Sequence, residues 1–191
     1  MVGKKLTEEE RKQQILTAAL QVAIEMGLEN VTVRRVATAA GLSSGLIFFH
    51  FKTKDDLLLA LLDELITWLL TIREIEANNP QSRFIQLLRL ETQIEDRAFI
   101  DLFLEFWILG RHHPVMRDRL RIAMMKYRNI FRLAAQEMLQ VDEPLIGTTS
   151  EALAAFASSL VVGNALQVMF DPNEFKTEDL LSVMQALLQA E

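Results

Sequence analysis

The chain has 191 residues, 50% of them hydrophobic and 24% charged, which excludes intrinsic disorder and leaves enough length for one or two domains with a buried core. With no Cys, a disulfide framework, a thiolate metal site and a cysteine nucleophile are excluded, and a reducing cytoplasm is the expected location. The net charge of −6 is unevenly spread: residues 1–54 carry eight basic against five acidic side chains, a net of +3, leaving −9 for the remainder. A basic head on an acidic body suits a molecule that turns one end toward a polyanion.

Few glycines and prolines punctuate a chain dominated by good helix formers, so the expectation is an all-α fold without a sheet. The first helix should start after Thr7, with Glu10 closing a capping box, and end near Gly27. Ile15, Ala19, Val22, Ala23 and Met26 form its inward stripe. Lys4, Lys5 and the run Glu8-Glu9-Glu10 precede charged helix rather than an apolar segment, so no signal peptide is expected. A short second helix follows Thr32, with Val33, Val36 and Ala37 inward and Arg34 and Arg35 outward, and Gly41 stops it. Ser43 caps a third short helix through Phe49, and Thr53 with Asp56 caps a fourth.

The fourth helix has an apolar stripe of Leu58, Leu61, Leu62, Leu65, Leu69 and Ile72 and no Pro or Gly before Asn78-Asn79-Pro80, which predicts one unbroken rod from Lys54 to about Ala77. Further helices are expected at about 82–94, 97–112, 115–140, 149–170 and 177–190, about nine in all. Ala152 to Phe170 carries no charge and is as long as a membrane span, but Ser158, Ser159, Gly163, Asn164 and Gln167 interrupt its apolarity and no basic or aromatic flank accompanies it. The reading taken is a helix buried between its own domain and a second subunit, with no membrane partner.

Thr32 to Phe51 reads helix, tight turn, helix. In a helix-turn-helix the first short helix braces the second, and Ala37, Ala40 and Gly41 are small enough for the steep turn between them. The second must offer small or polar side chains at its N-terminus to a major groove, as Ser43, Ser44 and Gly45 would, while Leu42 and Ile47 anchor it.

The pattern Thr32-Val33, Val36-Ala37, Ala40-Gly41-Leu42-Ser43, Gly45, Phe48, Phe51, Lys54, Leu57 closely resembles the DNA-binding head of the tetracycline-repressor (TetR/AcrR) family of bacterial regulators, over about residues 8–60. The all-helical remainder resembles that family's effector-binding and dimerisation domain. Glu105-Phe106-Trp107 through Met138 resembles the subgroup that includes the choline-responsive betaine-pathway repressor. The resemblance implies a helix-turn-helix domain at residues 1–53, an effector and dimerisation domain at 54–191, and a homodimer that binds a palindromic DNA operator and answers to a small molecule. It implies no required cofactor, and it places the dimer contact in the last two helices.

Carried onto this chain, the resemblance makes Thr32 a phosphate contact, Ser43 and Ser44 groove contacts, Gly45 the point of close approach, and Lys54 a phosphate anchor at a helix start, with Arg34, Arg35, His50 and Lys52 beside them. Two departures stand out. Phe48 replaces the family's usual Tyr and Leu46 an often-found Thr, so a hydroxyl contact and a polar groove contact are missing, unless the operator offers thymine methyls to Leu46 and Phe49. For Phe48 the competing reading is packing between the third and fourth helices.

Gly41-Leu42-Ser43-Ser44-Gly45 also matches a G-x-S-x-G nucleophile elbow, but the residues before it have helical spacing where the elbow requires a strand, so a helical hydrolase is the lesser alternative. A helical adaptor that binds no DNA is the other; it leaves the head unexplained. Adjacent His112 and His113 diverge on a helix and cannot chelate one metal, which leaves capping of a helix C-terminus. The effector candidates are Trp68, Phe103, Trp107, Tyr127 and Phe131, each of which also has a plain core reading, together with Asn164 and with Glu91. Glu91 continues the stripe of Phe84, Leu87 and Leu88, so it faces a cavity or the helix end lies at the surface. Asp101 and Glu105 share a stripe with Arg97 and read as a solvated face; Arg117, Arg121, Arg128 and Arg132 read likewise.

Overall fold

In a computed structural model, residues 6–71, 79–93, 97–141 and 147–189 are described; among them there is no strand, and nine α-helices follow in order. They are α1 (Glu8–Met26), α2 (Val33–Ala40), α3 (Ser44–His50), α4 (Lys54–Leu69), α5 (Pro80–Thr92), α6 (Arg97–Gly110), α7 (Pro114–Val141), α8 (Ser150–Phe170) and α9 (Thr177–Gln189), with a 3-10 turn at Leu28–Asn30 between α1 and α2. The described residues group into two compact units. One holds the chain up to Leu69 together with Ala98–Leu120; the other holds Leu70 to Arg97 together with the chain from Arg121 onward, so α7 contributes to both.

The helix starts follow the capping chemistry of the sequence. Thr7 and Glu10 close a reciprocal box, Glu10 Oε2 accepting the Thr7 N–H at 2.7 Å, and this bond holds the Glu10 carboxyl below its ordinary range. Thr32 Oγ1 accepts the Arg35 N–H, Ser43 Oγ the Leu46 N–H, and Thr53 and Asp56 form a second box. Each such cap contributes about 1 kcal/mol. Asn79 and Pro80, expected as a breaker, instead begin α5: Asn79 Oδ1 accepts the Ser82 N–H at 2.7 Å and Pro80 takes the first helical position, where no amide partner is lost.

Helix α4 is shorter than the sequence suggests. It ends at Leu69, with Leu70 in a turn and Thr71 outside the helix, so the unbroken rod to Ala77 is not formed; Ile72 and the rest of that extension lie outside the described residues. Leu65 is the last fully buried residue on it, and Ile66, Thr67, Thr71 and Ile72 bring β-branched side chains that favour a helix less. Helix length is set mainly by how long one face is packed, and the absence of a breaker does not extend it.

The first unit is built on Ile15, Ala19, Val31, Val36, Ile47, Leu57, Leu61, Leu62 and Leu65, joined by Leu102, Phe106, Met116 and Leu120 from α6 and α7. Met26, expected in the stripe of α1, is 47% exposed: it is the last residue of α1, whose inward stripe ends at Ala23. In the second unit Phe84, Phe131 and Tyr127 meet edge to face, and Leu88, Ala135, Met138, Ala157, Leu181 and Leu188 complete the core. Arg89 with Glu178, Arg83 with Glu137 and the Gln81 side chain to the Leu188 carbonyl tie α5 to α9 and α7.

Candidate nucleic-acid interface and effector residues

Helices α2 and α3 are joined through a left-handed backbone turn that glycine readily adopts. Gly41 has φ +65°, its N–H reaches the Thr38 carbonyl, and the Leu42 N–H reaches the Ala37 carbonyl at 2.9 Å, a paired closure that ends α2 and starts the turn. The Gln14 side chain on α1 donates to the Ala40 carbonyl at 3.0 Å and fixes the same corner. Ile47 is fully buried and Leu42 half-buried, so α3 is held by these side chains and presents its other face outward.

That outer face carries Ser43, Ser44 and Gly45, all exposed, with Leu46 half-buried, and then Phe48 and Phe49, exposed to 49% and 64%. Phe48 is therefore not an enclosed core residue: half of its surface is open to solvent and half is covered. Two exposed aromatic rings on a seven-residue helix cost solvation unless a partner covers them. His50 is half-buried beside the edge of Phe49, with its Nδ1 enclosed and unpaired.

The surrounding cations are positioned by backbone carbonyls. Lys52 Nζ donates to the Phe49 carbonyl and lies 5.4 Å from the centre of its ring, and Lys54 Nζ donates to the Glu29 carbonyl at 3.0 Å. Arg35 donates to the backbone and side-chain oxygens of Asn30, and Arg34 is exposed. Each ammonium keeps further N–H groups for an anion. The Thr32 hydroxyl accepts at the start of α2 and still has a proton to donate. The structure thus places Thr32, Arg34, Arg35 and the α3 residues on one helix-turn-helix, with Lys54 at the start of α4 in the same unit.

The effector candidates divide between the units. Trp68 stacks on Phe99 with ring centres 4.5 Å apart, and Phe103 and Trp107 lie half-buried against the core of the first unit. Glu91, Tyr127, Phe131 and Asn164 belong to the second. The Tyr127 hydroxyl donates to Glu91 Oε2 at 2.8 Å, so the carboxylate on the apolar stripe of α5 meets a partner and is half-buried. Phe131 is fully enclosed. Asn164 is 3% exposed; its Nδ2 donates to the Thr92 carbonyl at 3.0 Å and its Oδ1 accepts from Thr177 Oγ1 at 2.8 Å. An open groove of about 490 Å3, bordered by Lys126, Arg128, Arg132, Glu151 and Ala155, includes none of these candidates.

Two expectations are corrected by hydrogen bonds. His113 does not end α6 but begins α7, its Nδ1 accepting the Met116 N–H at 3.3 Å while Nε2 faces Asp55 Oδ2 at 3.4 Å. Glu105 is not on a solvated face: it is half-buried and accepts the Leu28 N–H at 2.6 Å. Sequence spacing finds partners on the same helix, whereas the Asp55 contact of His113 and the Leu28 contact of Glu105 join different elements. Among the described residues no group of His, Asp or Glu is arranged to hold a metal.

Residues 15–61 match the profile of the bacterial regulatory proteins of the tetR family, and residues 82–191, more than half of the chain, match that of the BetI-type transcriptional repressor C-terminal domain. The chain belongs to the TetR family. It is a DNA-binding transcriptional regulator of the helix-turn-helix kind and not an enzyme. Relatives include the transcriptional regulator BetI of Serratia proteamaculans, 27% identical over 82% of both chains, and PksA of Bacillus subtilis, 29% identical over 88% of this chain and 83% of that one. A regulator from Saccharomonospora viridis in complex with choline shares the fold, with a TM-score of 0.76 at 20% identity over 95% of this chain and 97% of that one. One described helix, α8, is long and apolar enough to cross a membrane, a test that a buried helix of a bundle also passes.

Proposed function

We propose that the protein is a cytoplasmic repressor that binds a palindromic operator as a homodimer, reading DNA through residues 1–53 and sensing an effector and pairing through residues 54–191. The observation that carries this reading is the outer face of α3, where Ser43, Ser44, Gly45, Phe48 and Phe49 are exposed and the Lys52 cation stands beside them, with Lys54 held to the Glu29 carbonyl in the same unit. Leu46 and Phe49 supply the apolar surface that thymine methyls complement, taking the place of the missing hydroxyls. A two-fold dimer places its reading helices about 34–36 Å apart, one helical turn of duplex.

Selection of binding sites from random duplex DNA, followed by titration at several salt concentrations, tests it. Each phosphate contact adds roughly −0.9 to the slope of log K against log salt, so Lys54→Ala should flatten the slope by about one and weaken all sequences alike. Ser44→Ala should instead shift sequence preference. An affinity that does not change with salt, or a Lys54→Ala slope equal to the native one, counts against the contact.

The effector proposed is a largely apolar cation with Glu91 as counter-charge and Tyr127 beside it. Support comes from the half-buried carboxylate held by the Tyr127 hydroxyl, and from the choline bound by the similarly folded Saccharomonospora protein. With choline as the probe, native protein should change its operator affinity by about 5- to 150-fold, the usual span of allosteric coupling, and Glu91→Gln should lose most of that change. Full coupling in Glu91→Gln removes Glu91 from the site.

A further inference from the structure

The loop that joins α1 to α2 is held from outside the helix-turn-helix. Gly27 leaves α1 with φ +86°, and its open side faces the Glu105 carboxylate, both oxygens lying 3.5 Å from where a Cβ would stand. The next amide, Leu28 N–H, begins the 3-10 turn and has no capping side chain of its own stretch; Glu105 on α6 accepts it at 2.6 Å. One residue further, the Glu29 carbonyl accepts Lys54 Nζ at 3.0 Å, and the same turn leads to Thr32. Glu105, Lys54, Asp55 and His113 line one cleft of about 760 Å3 with Leu28 and Leu58.

We infer that Glu105 is a positioning residue for DNA binding: through the Leu28 amide it fixes the α1–α2 turn, and through that turn the places of Thr32 and Lys54. The inference rests on those two residues meeting phosphates. A short charge-assisted bond is suited to the task, because a carboxylate has strong acceptor capacity and the turn amide has no other acceptor within its own stretch. The sign of the expected effect sets this apart from a merely acidic surface. Removing a negative charge from a DNA-binding unit should strengthen binding through long-range electrostatics, whereas removing a positioning bond should weaken it.

The experiment compares Glu105→Ala with Glu105→Gln, whose side-chain oxygen can still accept the Leu28 N–H, in full-length protein on a duplex selected by the native chain. Glu105→Ala should bind about tenfold to a hundredfold more weakly, the span set by hydrogen bonds to charged groups, with a shallower salt slope, while Glu105→Gln stays within about threefold of native. Hydrogen exchange at the Leu28 amide should quicken in Glu105→Ala and stay slow in Glu105→Gln. Unchanged or tighter binding by Glu105→Ala, a loss that leaves the slope native, equal losses in both variants, or unaltered exchange at Leu28 overturns the inference. Lys54→Ala measured alongside separates the two readings: a native slope in that variant removes the phosphate contact, and Leu28 exchange still decides whether Glu105 holds the turn.

Discussion

Gly163→Glu is expected to leave each chain folded but monomeric, and to lower affinity for a palindromic duplex by about 10²–10⁴-fold, the advantage that linking two binding events confers. Within one chain the substitution meets no obstacle. A Cβ at Gly163 has no atom within 4 Å, and replacing a glycine inside a helix gains roughly 0.5–1 kcal/mol of backbone preference. Phe156, Gly163 and Phe170 recur at seven-residue spacing, so they share one face of α8, and the two phenylalanines are 51% and 79% exposed. Val183 and Leu187 on α9 are exposed to 57% and 46%. A face with that much open apolar surface is what a second copy would cover, and a carboxylate set into it would be desolvated without a partner. Sedimentation velocity together with operator titration checks the expectation; an intact dimer at micromolar concentration sinks the placement of the interface.

What the sequence made legible is what depends on neighbours in the chain. Thr7, Thr32, Ser43 and Thr53 each sit three residues before the amide they accept, and that spacing survives any tertiary arrangement, so all four helix starts were readable. The inward stripe of α1 and the turn at Gly41 were readable for the same reason. The end of α4 was not, because no residue between Leu69 and Ala77 forbids a helix and the point at which a packed face stops is a fact of three dimensions. Glu105 and Glu91 show the same division. Glu91 was recognisable as a carboxylate on an apolar stripe and Glu105 was read as part of a solvated face, and the partners, Leu28 at 77 positions' distance from Glu105 and Tyr127 at 36 from Glu91, could not be read from spacing. The recognition face was legible in its residue types, and the exposure of Phe48 was settled only once Ile47 was seen to take the inward place.

Asn164→Leu is expected to lower the melting temperature by about 5–20 °C without any ligand present, and the argument turns on what the side chain leaves behind. Its amide spans three elements: Nδ2 donates to the Thr92 carbonyl at the end of α5, and Oδ1 accepts from Thr177 at the start of α9. A role in pairing with a second subunit would require the amide on the outer face of α8, yet it is buried inside its own unit. Leucine keeps most of the volume but leaves a buried carbonyl and a hydroxyl without that partner, at about 1–3 kcal/mol each. In a chain of this length each kcal/mol lowers the melting temperature by about 2–4 °C. Asn164→Asp should fall as well, since a carboxylate can still accept from Thr177 but has no N–H for the Thr92 carbonyl. Adding Thr177→Val to Asn164→Leu should recover part of the loss, because the orphaned hydroxyl goes with it, and the double-mutant cycle measures the share carried by that bond. Should Asn164→Leu melt within a degree or two of native protein, the amide ties nothing together and is free to serve an effector; a large loss in ligand-free protein assigns it to the frame on which Glu91 and Tyr127 stand.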